Sequence, residues 1–152
     1  MSFQLKSYKK LKEWKKSKKT IVFTNGCFDL LHKGHVDLLT VASKYGDKLI
    51  VGINSDESVK KLKGEDRPVE NQKTRKKNLL KIKYVDDVYI FEESTPLNII
   101  KSICPDVLVK GADYTVNEII GAKFVLSNGG KVRTIPLTPG YSTTKSIEKM
   151  AK

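Results

Sequence analysis

TNGCFDLLHKGHVDLL, residues 24–39, holds both histidines of the chain, His32 and His35, separated by Lys33 and Gly34. The run TIVFTN, residues 20–25, leads in and reads as a short buried strand; the stretch after His35 has helical apolar spacing. A strand passing through a glycine-bearing turn into a helix is the opening half of a βαβ unit. Gly26 and Gly34 let backbone approach a ligand closely. The helix start turns free N–H groups toward the same point, which makes it a phosphate site by geometry. Two imidazoles sit at that point.

The same alternation continues along the chain. Strands are predicted at residues 20–25, 48–54, 85–91, 106–111 and 131–137. Helices are predicted at 5–19, 35–46, 55–64, 73–84, 94–103, 116–130 and 142–152. Strands of this length alternating with helices imply a mostly parallel sheet covered on both faces. The expected fold class is α/β: a Rossmann-like five-stranded parallel sheet with helices on both faces. Ligands in such sheets bind beyond the carboxyl ends of the strands, at the switch point. The segments there are Asn25 to His35, then Asn54, Ser55 and Asp56, then Lys110, Gly111, Asp113 and Tyr114, then Thr138, Gly140 and Ser142 to Lys145.

The length of 152 residues suits one domain with a real core. No apolar run approaches the roughly 20 residues that span a bilayer. The N-terminus has no apolar signal core, so a cytoplasmic protein is expected. Cys27 and Cys104 are expected to be buried small hydrophobes in a reducing compartment. The net charge is +12, and much of it lies in LKSYKKLKEWKKSKK, residues 5–19. Leu5, Tyr8, Leu11 and Trp14 recur every third residue there, as one stripe of a helix with lysines on its other faces. Residues 1–19 are therefore read as a basic N-terminal helix docked by its stripe, and residues 20–152 as the α/β domain. Aromatics are not interleaved with basic residues elsewhere, so neither a nucleic acid nor a membrane is the expected partner.

The turn is not a Walker loop, since no G-x-x-x-x-G-K-[ST] occurs, and no G-x-G-x-x-G follows the first strand. The histidines lack a third zinc ligand at the usual spacing. Either one suits a plain helix cap. Asp29 suits a cap at the helix start as well as a phosphate- or metal-organising role, and Asp56 suits the cap of its own helix. Lys110 at a strand end suits a solvated lysine. Arg75 stands in a run with Lys73, Lys76 and Lys77, a pattern typical of a solvated face. Ser142 and Thr143 cap the last helix whatever the function.

At TNGCFDLLHKGH the chain resembles the cytidylyltransferase-like nucleotidyltransferases, whose signature is H-x-G-H after the first strand. YSTTKS, residues 141–146, looks like their second signature, at the start of the final helix. The class I aminoacyl-tRNA synthetases share the fold and the first motif, but 152 residues leave no room for a tRNA-reading domain. Within the family, KGEDRPV and LVKGADY are most similar to the heptose 1-phosphate adenylyltransferase branch. Its nearest rival, the glycerol-3-phosphate cytidylyltransferase branch, usually has an arginine-threonine pair before its S-T-T; here Leu137 takes the arginine place and Thr138 remains.

The resemblance implies transfer of AMP from ATP to D-glycero-β-D-manno-heptose 1-phosphate, giving pyrophosphate and ADP-heptose for lipopolysaccharide. The alternative is a glycerol-3-phosphate cytidylyltransferase or another phosphomonoester nucleotidyltransferase. In many bacteria such a domain follows a sugar kinase; none is seen in these residues, so other proteins are expected to supply the 1-phosphate. By resemblance, His32, His35, Lys63 (or Lys61) and Arg75 carry the chemistry by holding the triphosphate and its transition state. Thr24, Asn25, Gly26, Cys27, Phe28, Asp29, Gly34, Asp56, Lys110, Gly111, Asp113, Thr138, Ser142 and Thr143 line the nucleotide. Mg²⁺ arrives on the triphosphate, with no metal site of the protein's own. A homodimer is expected.

Overall fold

The computed structural model describes residues 5–111 and 118–136. Five strands form one parallel sheet: β1 (Ile21–Gly26), β2 (Lys48–Asn54), β3 (Asp87–Phe91), β4 (Val107–Gly111) and β5 (Lys131–Ile135). Their order is β3-β2-β1-β4-β5, so the winding reverses between β1 and β4. This is the doubly wound arrangement in which the crevice at the switch point takes the ligand. Among the described residues six α-helices surround the sheet: α1 (Leu5–Lys16), α2 (Lys33–Ser43), α3 (Asp56–Lys63), α4 (Gln72–Leu80), α5 (Leu97–Ile103) and α6 (Ala122–Ser127).

Strand residues alternate between two cores. Ile21, Phe23, Ile50, Tyr89, Phe91, Leu108 and Val132 pack with residues of α1, α5 and α6. Val22, Leu49, Val51, Ile53, Val88, Val107 and Val109 pack on the other face with Leu39 and Ala42 of α2 and Leu79 of α4. Three aspartates pin the amino ends of the strands. Asp47, before β2, accepts from the Thr20 N–H at 2.7 Å. Asp86, before β3, accepts from Leu49 N–H at 2.8 Å, and Asp106, before β4, accepts from Ile21 N–H at 2.8 Å. Each carboxylate takes an N–H at or beside the start of the neighbouring strand. The register is fixed from that end, and the opposite end is left for the site.

Several boundaries differ from the sequence expectation. The predicted helix from residue 116 is described as α6 only from Ala122, because Gly121 adopts φ 89° and breaks it. Helix α4 stops at Leu80 instead of continuing to residue 84. In the stretch after His35, Val36 and Tyr45 are exposed, and Leu39 and Ala42 carry the contact with the sheet. Cys27 and Cys104 are free and only half-buried, not core residues. Cys104 closes α5 in a left-handed conformation, φ 49°.

Helix α1 shares the core of the α/β domain. Leu11 is buried there with Ile21 and Ile103, and Trp14 packs at its edge. Lys15 Nζ donates to Cys104 O at 2.8 Å, a cation on the carboxyl end of α5. None of this touches the strand ends of the switch point. Deleting residues 1–19 is therefore expected to lower the melting temperature while leaving turnover per folded molecule within about tenfold. Thermal melts beside steady-state rates check this; loss of all turnover in a folded deletion would contradict it.

Candidate active site

The join of β1 and α2 is built on the histidines. His32 is the N-cap of α2, and its Nδ1 accepts from Gly34 N–H at 3.1 Å. His35, at the third helical position, accepts from His32 N–H through its own Nδ1 at 3.3 Å. This is a capping box made of two imidazoles, and it satisfies two donors that a helix start leaves open. The rings stack with centroids 3.8 Å apart and planes at 18°. Capping and ligand binding, alternatives in the sequence, are compatible here because a ring has two nitrogens. With Nδ1 accepting, the neutral imidazole carries its proton on Nε2. The box thus fixes both rings as Nε2–H donors.

The surroundings keep the rings neutral. Burial pushes His35 down to about 4, helped by the charges of His32 and Lys63. Burial also lowers His32. Lys63 itself is exposed, yet its charge reaches His35. Nitrogen-detected NMR at pH 7 should show the Nε2–H tautomer for both rings, with His35 titrating near pH 4. The unfolded His35 takes its proton near pH 6.5, above the folded one. The stability it contributes is therefore complete above pH 6.5 and lost as pH falls toward about 4. His35→Gln should flatten that slope in pH-dependent melts.

Phe28 seats the second histidine. It has φ 50°, and its buried ring lies 5.3 Å from the His35 ring. Gly26 leaves room for this ring: a Cβ there would stand 3.0 Å from it, a tight contact. Gly34 is buried and gives its N–H to His32. Thr24 is fully buried with no hydrogen bond to its Oγ1 among the described residues.

Arg75 calls for the largest correction. It is not solvated, being fully buried. Its Nη1 donates to Cys27 O at 2.9 Å and Asn54 O at 2.8 Å, its Nε to Glu70 O at 3.0 Å, and its Nη2 to Asp56 Oδ1 at 2.9 Å. One guanidinium therefore ties the end of β1, the end of β2, the start of α3 and the segment before α4. Asp56 is spent on that ion pair; the cap of α3 is Ser55, which accepts from Ser58 N–H. Asp29 is fully buried too and caps nothing. It accepts from Val69 N–H at 2.7 Å, Glu70 N–H at 2.9 Å and Arg67 Nε at 3.3 Å. Arg75, Asp29 and Asp56 thus tie the segments at the strand ends together.

Glu70 and Arg67 were given no role by the sequence reading, and Asn54 only a place at the strand end. Glu70 accepts from Leu30 N–H at 3.1 Å and holds the turn from the other side. Asn54 accepts from the Cys27 thiol at 3.8 Å and donates to Ser58 Oγ at 3.0 Å. Arg67 belongs to the Asp29 cluster. The KGEDRPV stretch, quoted above only as a likeness, is the strap that these bonds lash to residues 29–30.

Asn25 and Lys110 stand at the ends of β1 and β4, with Gly111 next to Lys110, and both line a pocket with Pro96, Glu118, Ile119 and Ile120. Burial lowers the Lys110 ammonium from the usual lysine range, while nearby Cys27 acts in the opposite sense. Asp113, Thr138, Ser142 and Thr143, and Leu137 beside them, lie outside the described residues, as does the final helix. Among the described residues no cluster of three or more His, Cys, Asp or Glu is placed to hold a metal. No helix among them is long and apolar enough to cross a membrane.

A doubly wound sheet with paired imidazoles at its switch point defines a nucleotide-handling α/β enzyme. The cytidylyltransferase-like family model matches residues 23–149, and the chain belongs to that family of nucleotidyltransferases. It is 51% identical over 140 residues to the bifunctional protein HldE of Rhodopseudomonas palustris (strain BisB5), covering 92% of this chain and 29% of that one. It is 53% identical over 135 residues to the bifunctional protein HldE of Campylobacter fetus subsp. fetus (strain 82-40), covering 89% and 29%. The chain therefore spans less than a third of the length of these relatives. The crystal structure of the lipopolysaccharide core biosynthesis protein from Thermoplasma volcanium GSS1 matches with a TM-score of 0.63 at 24% identity, over 79% of this chain and 97% of that one, and shares the fold.

Proposed function

We propose that the chain transfers AMP from ATP to D-glycero-β-D-manno-heptose 1-phosphate, releasing pyrophosphate. The observation that carries the nucleotidyl-transfer part is the imidazole capping box. It holds two neutral Nε2–H donors at a helix N-terminus, where charge building on a phosphate is best met by fixed donors. The acceptor phosphate is already an anion, so no general base is needed. This fits the engagement of Asp29 and Asp56 by protein donors. Lys63 adds a mobile cation beside His35. Catalysis is then in-line placement and charge stabilisation.

The donor set also bears on the metal. With Asp29 and Asp56 engaged by protein donors, these residues suit Mg²⁺ that would enter on triphosphate oxygens. Bound there, it would neutralise phosphate charge, while the histidines and Lys63 orient the chain of phosphates. The heptose acceptor rests on the likeness of KGEDRPV and LVKGADY and on Leu137 in the arginine place. Mass spectrometry of products from ATP or CTP, each with heptose 1-phosphate or glycerol 3-phosphate, tests it. ADP-heptose as the dominant product is expected; CDP-glycerol would overturn the acceptor and base together.

A further inference from the structure

The connections that lead from a helix into the following strand lie at the amino end of the sheet, because helices run back against the parallel strands. Each of them brings an exposed lysine. Lys16 ends α1 and Lys19 follows it into β1; Lys44 closes α2 before β2, and Lys83 precedes β3. Lys101 stands in the last turn of α5, before β4, and Lys131 opens β5. Since β3 and β5 are the sheet edges, these cations span a face roughly 20 Å wide. Among the described residues none of them is in an ion pair. The carboxylates at this end, Asp47, Asp86 and Asp106, each accept a backbone N–H; Asp87 is buried, and Glu13 stands back on α1. The face is left net positive. A lysine in a last helical turn complements the helix dipole, which accounts for Lys16 and Lys101 but not for Lys19, Lys83 or Lys131.

Two tyrosines stand in the same connections. Tyr45 follows Lys44 and is 39% exposed; Tyr84 follows Lys83 and is 44% exposed, with Lys83 Nζ 5.9 Å from its ring centroid. Amphipathic rings among lysines are the composition of a membrane interface. By spacing along the chain no membrane partner is expected; the fold gathers at one end what the spacing separates. Helix α1 sets the mode of contact. Leu11 is spent in the core and Trp14 packs at its edge, so the helix lies on a surface by its lysines and does not insert its stripe. A nucleic acid fits less well. None of the six cations is an arginine, the side chain suited to forked phosphate contacts and base edges.

We propose that the amino-end face of the sheet docks the chain on a bilayer that carries anionic phospholipid headgroups, through Lys19, Lys83, Lys101 and Lys131 with Tyr45 and Tyr84 beside them. The histidine rim lies at the other end of the strands. Strand β2 has seven residues, so the rim stands roughly 20 Å from the docked face. That is well beyond the Debye length of about 8 Å at physiological salt. The site therefore faces solvent, and its charges do not feel the bilayer.

Sedimentation of the intact chain with vesicles tests the face. Vesicles of phosphatidylcholine with phosphatidylglycerol should bind it about tenfold or more tighter than phosphatidylcholine alone at about 0.1 M ionic strength, and salt near about 1 M should erase the difference. The triple variant Lys83→Glu, Lys101→Glu, Lys131→Glu should lose about tenfold or more of that binding with an unchanged circular-dichroism spectrum. A variant of equal charge change away from the face, Lys73→Glu, Lys77→Glu, Lys123→Glu, should lose less than about threefold. Equal binding of wild type to the two kinds of vesicle overturns the proposal without any variant. Equal loss in the two triple variants overturns it too, since net charge and not this face would then carry the binding. So does tighter binding of duplex or single-stranded oligonucleotides than of the anionic vesicles in the same buffer, lost in the face variant, which assigns the face to nucleic acid.

Discussion

His35→Ala is expected to lower kcat by about 10²–10³, the cost of removing a fixed donor from a developing charge. His32→Ala should do the same, and the double variant should lose less than the product, since both donors act on one charge. Nucleotide binding should weaken less than kcat, because backbone groups and cations carry most of the uniform binding. The capping box adds a second consequence. Each alanine also removes a helix cap, at about 0.5–2 kcal/mol of stability. His32→Asn and His35→Gln separate the two effects. Asparagine is a strong N-cap, and glutamine at the third position closes the box, so both should melt like wild type. Both should remain slow. Near-normal kcat in a well-folded His35→Ala protein would remove that residue from the chemistry.

Arg75→Met is expected to cost about 3–5 kcal/mol, as for a buried charge network that loses one partner. The carbonyls of Cys27, Asn54 and Glu70 would lose their shared donor, and Asp56 its cation. The ends of β1 and β2 would no longer be held in one rim, so kcat/KM should fall by at least a hundredfold in whatever fraction still folds. Arg75→Lys should recover little, because one ammonium cannot reproduce a planar fork spread over four acceptors. Urea unfolding with steady-state kinetics at low temperature checks both. Wild-type stability in Arg75→Met would return the side chain to the solvated face from which its sequence neighbours suggested it came.

The sheet was legible because its signals are local. KLIVGIN reads as a buried strand and is one, residue for residue. The position of the site followed from the alternation of elements alone. What sequence could not show was the network beneath it, since Arg75 reaches partners 48, 21 and 19 positions away. One local sign was present: Arg75 stands four residues before Leu79, which shares its buried face of α4, and it is the arginine in a run of lysines. The double duty of the histidines was hidden for another reason. A cap and a ligand donor look like rival uses of one ring until the geometry shows that the cap takes Nδ1.

That division of labour is the account's central claim: Nδ1 holds the helix, Nε2–H meets the phosphate, and neither ring attacks phosphorus. The stereochemical course of transfer from an ATP made chiral by sulfur at the α-phosphorus tests it most directly. A single in-line attack by the acceptor oxygen gives inversion at that phosphorus, and inversion is the expected result. Retention would mean two displacements through a nucleotidylated side chain, with a histidine as nucleophile instead of donor, and would contradict the account.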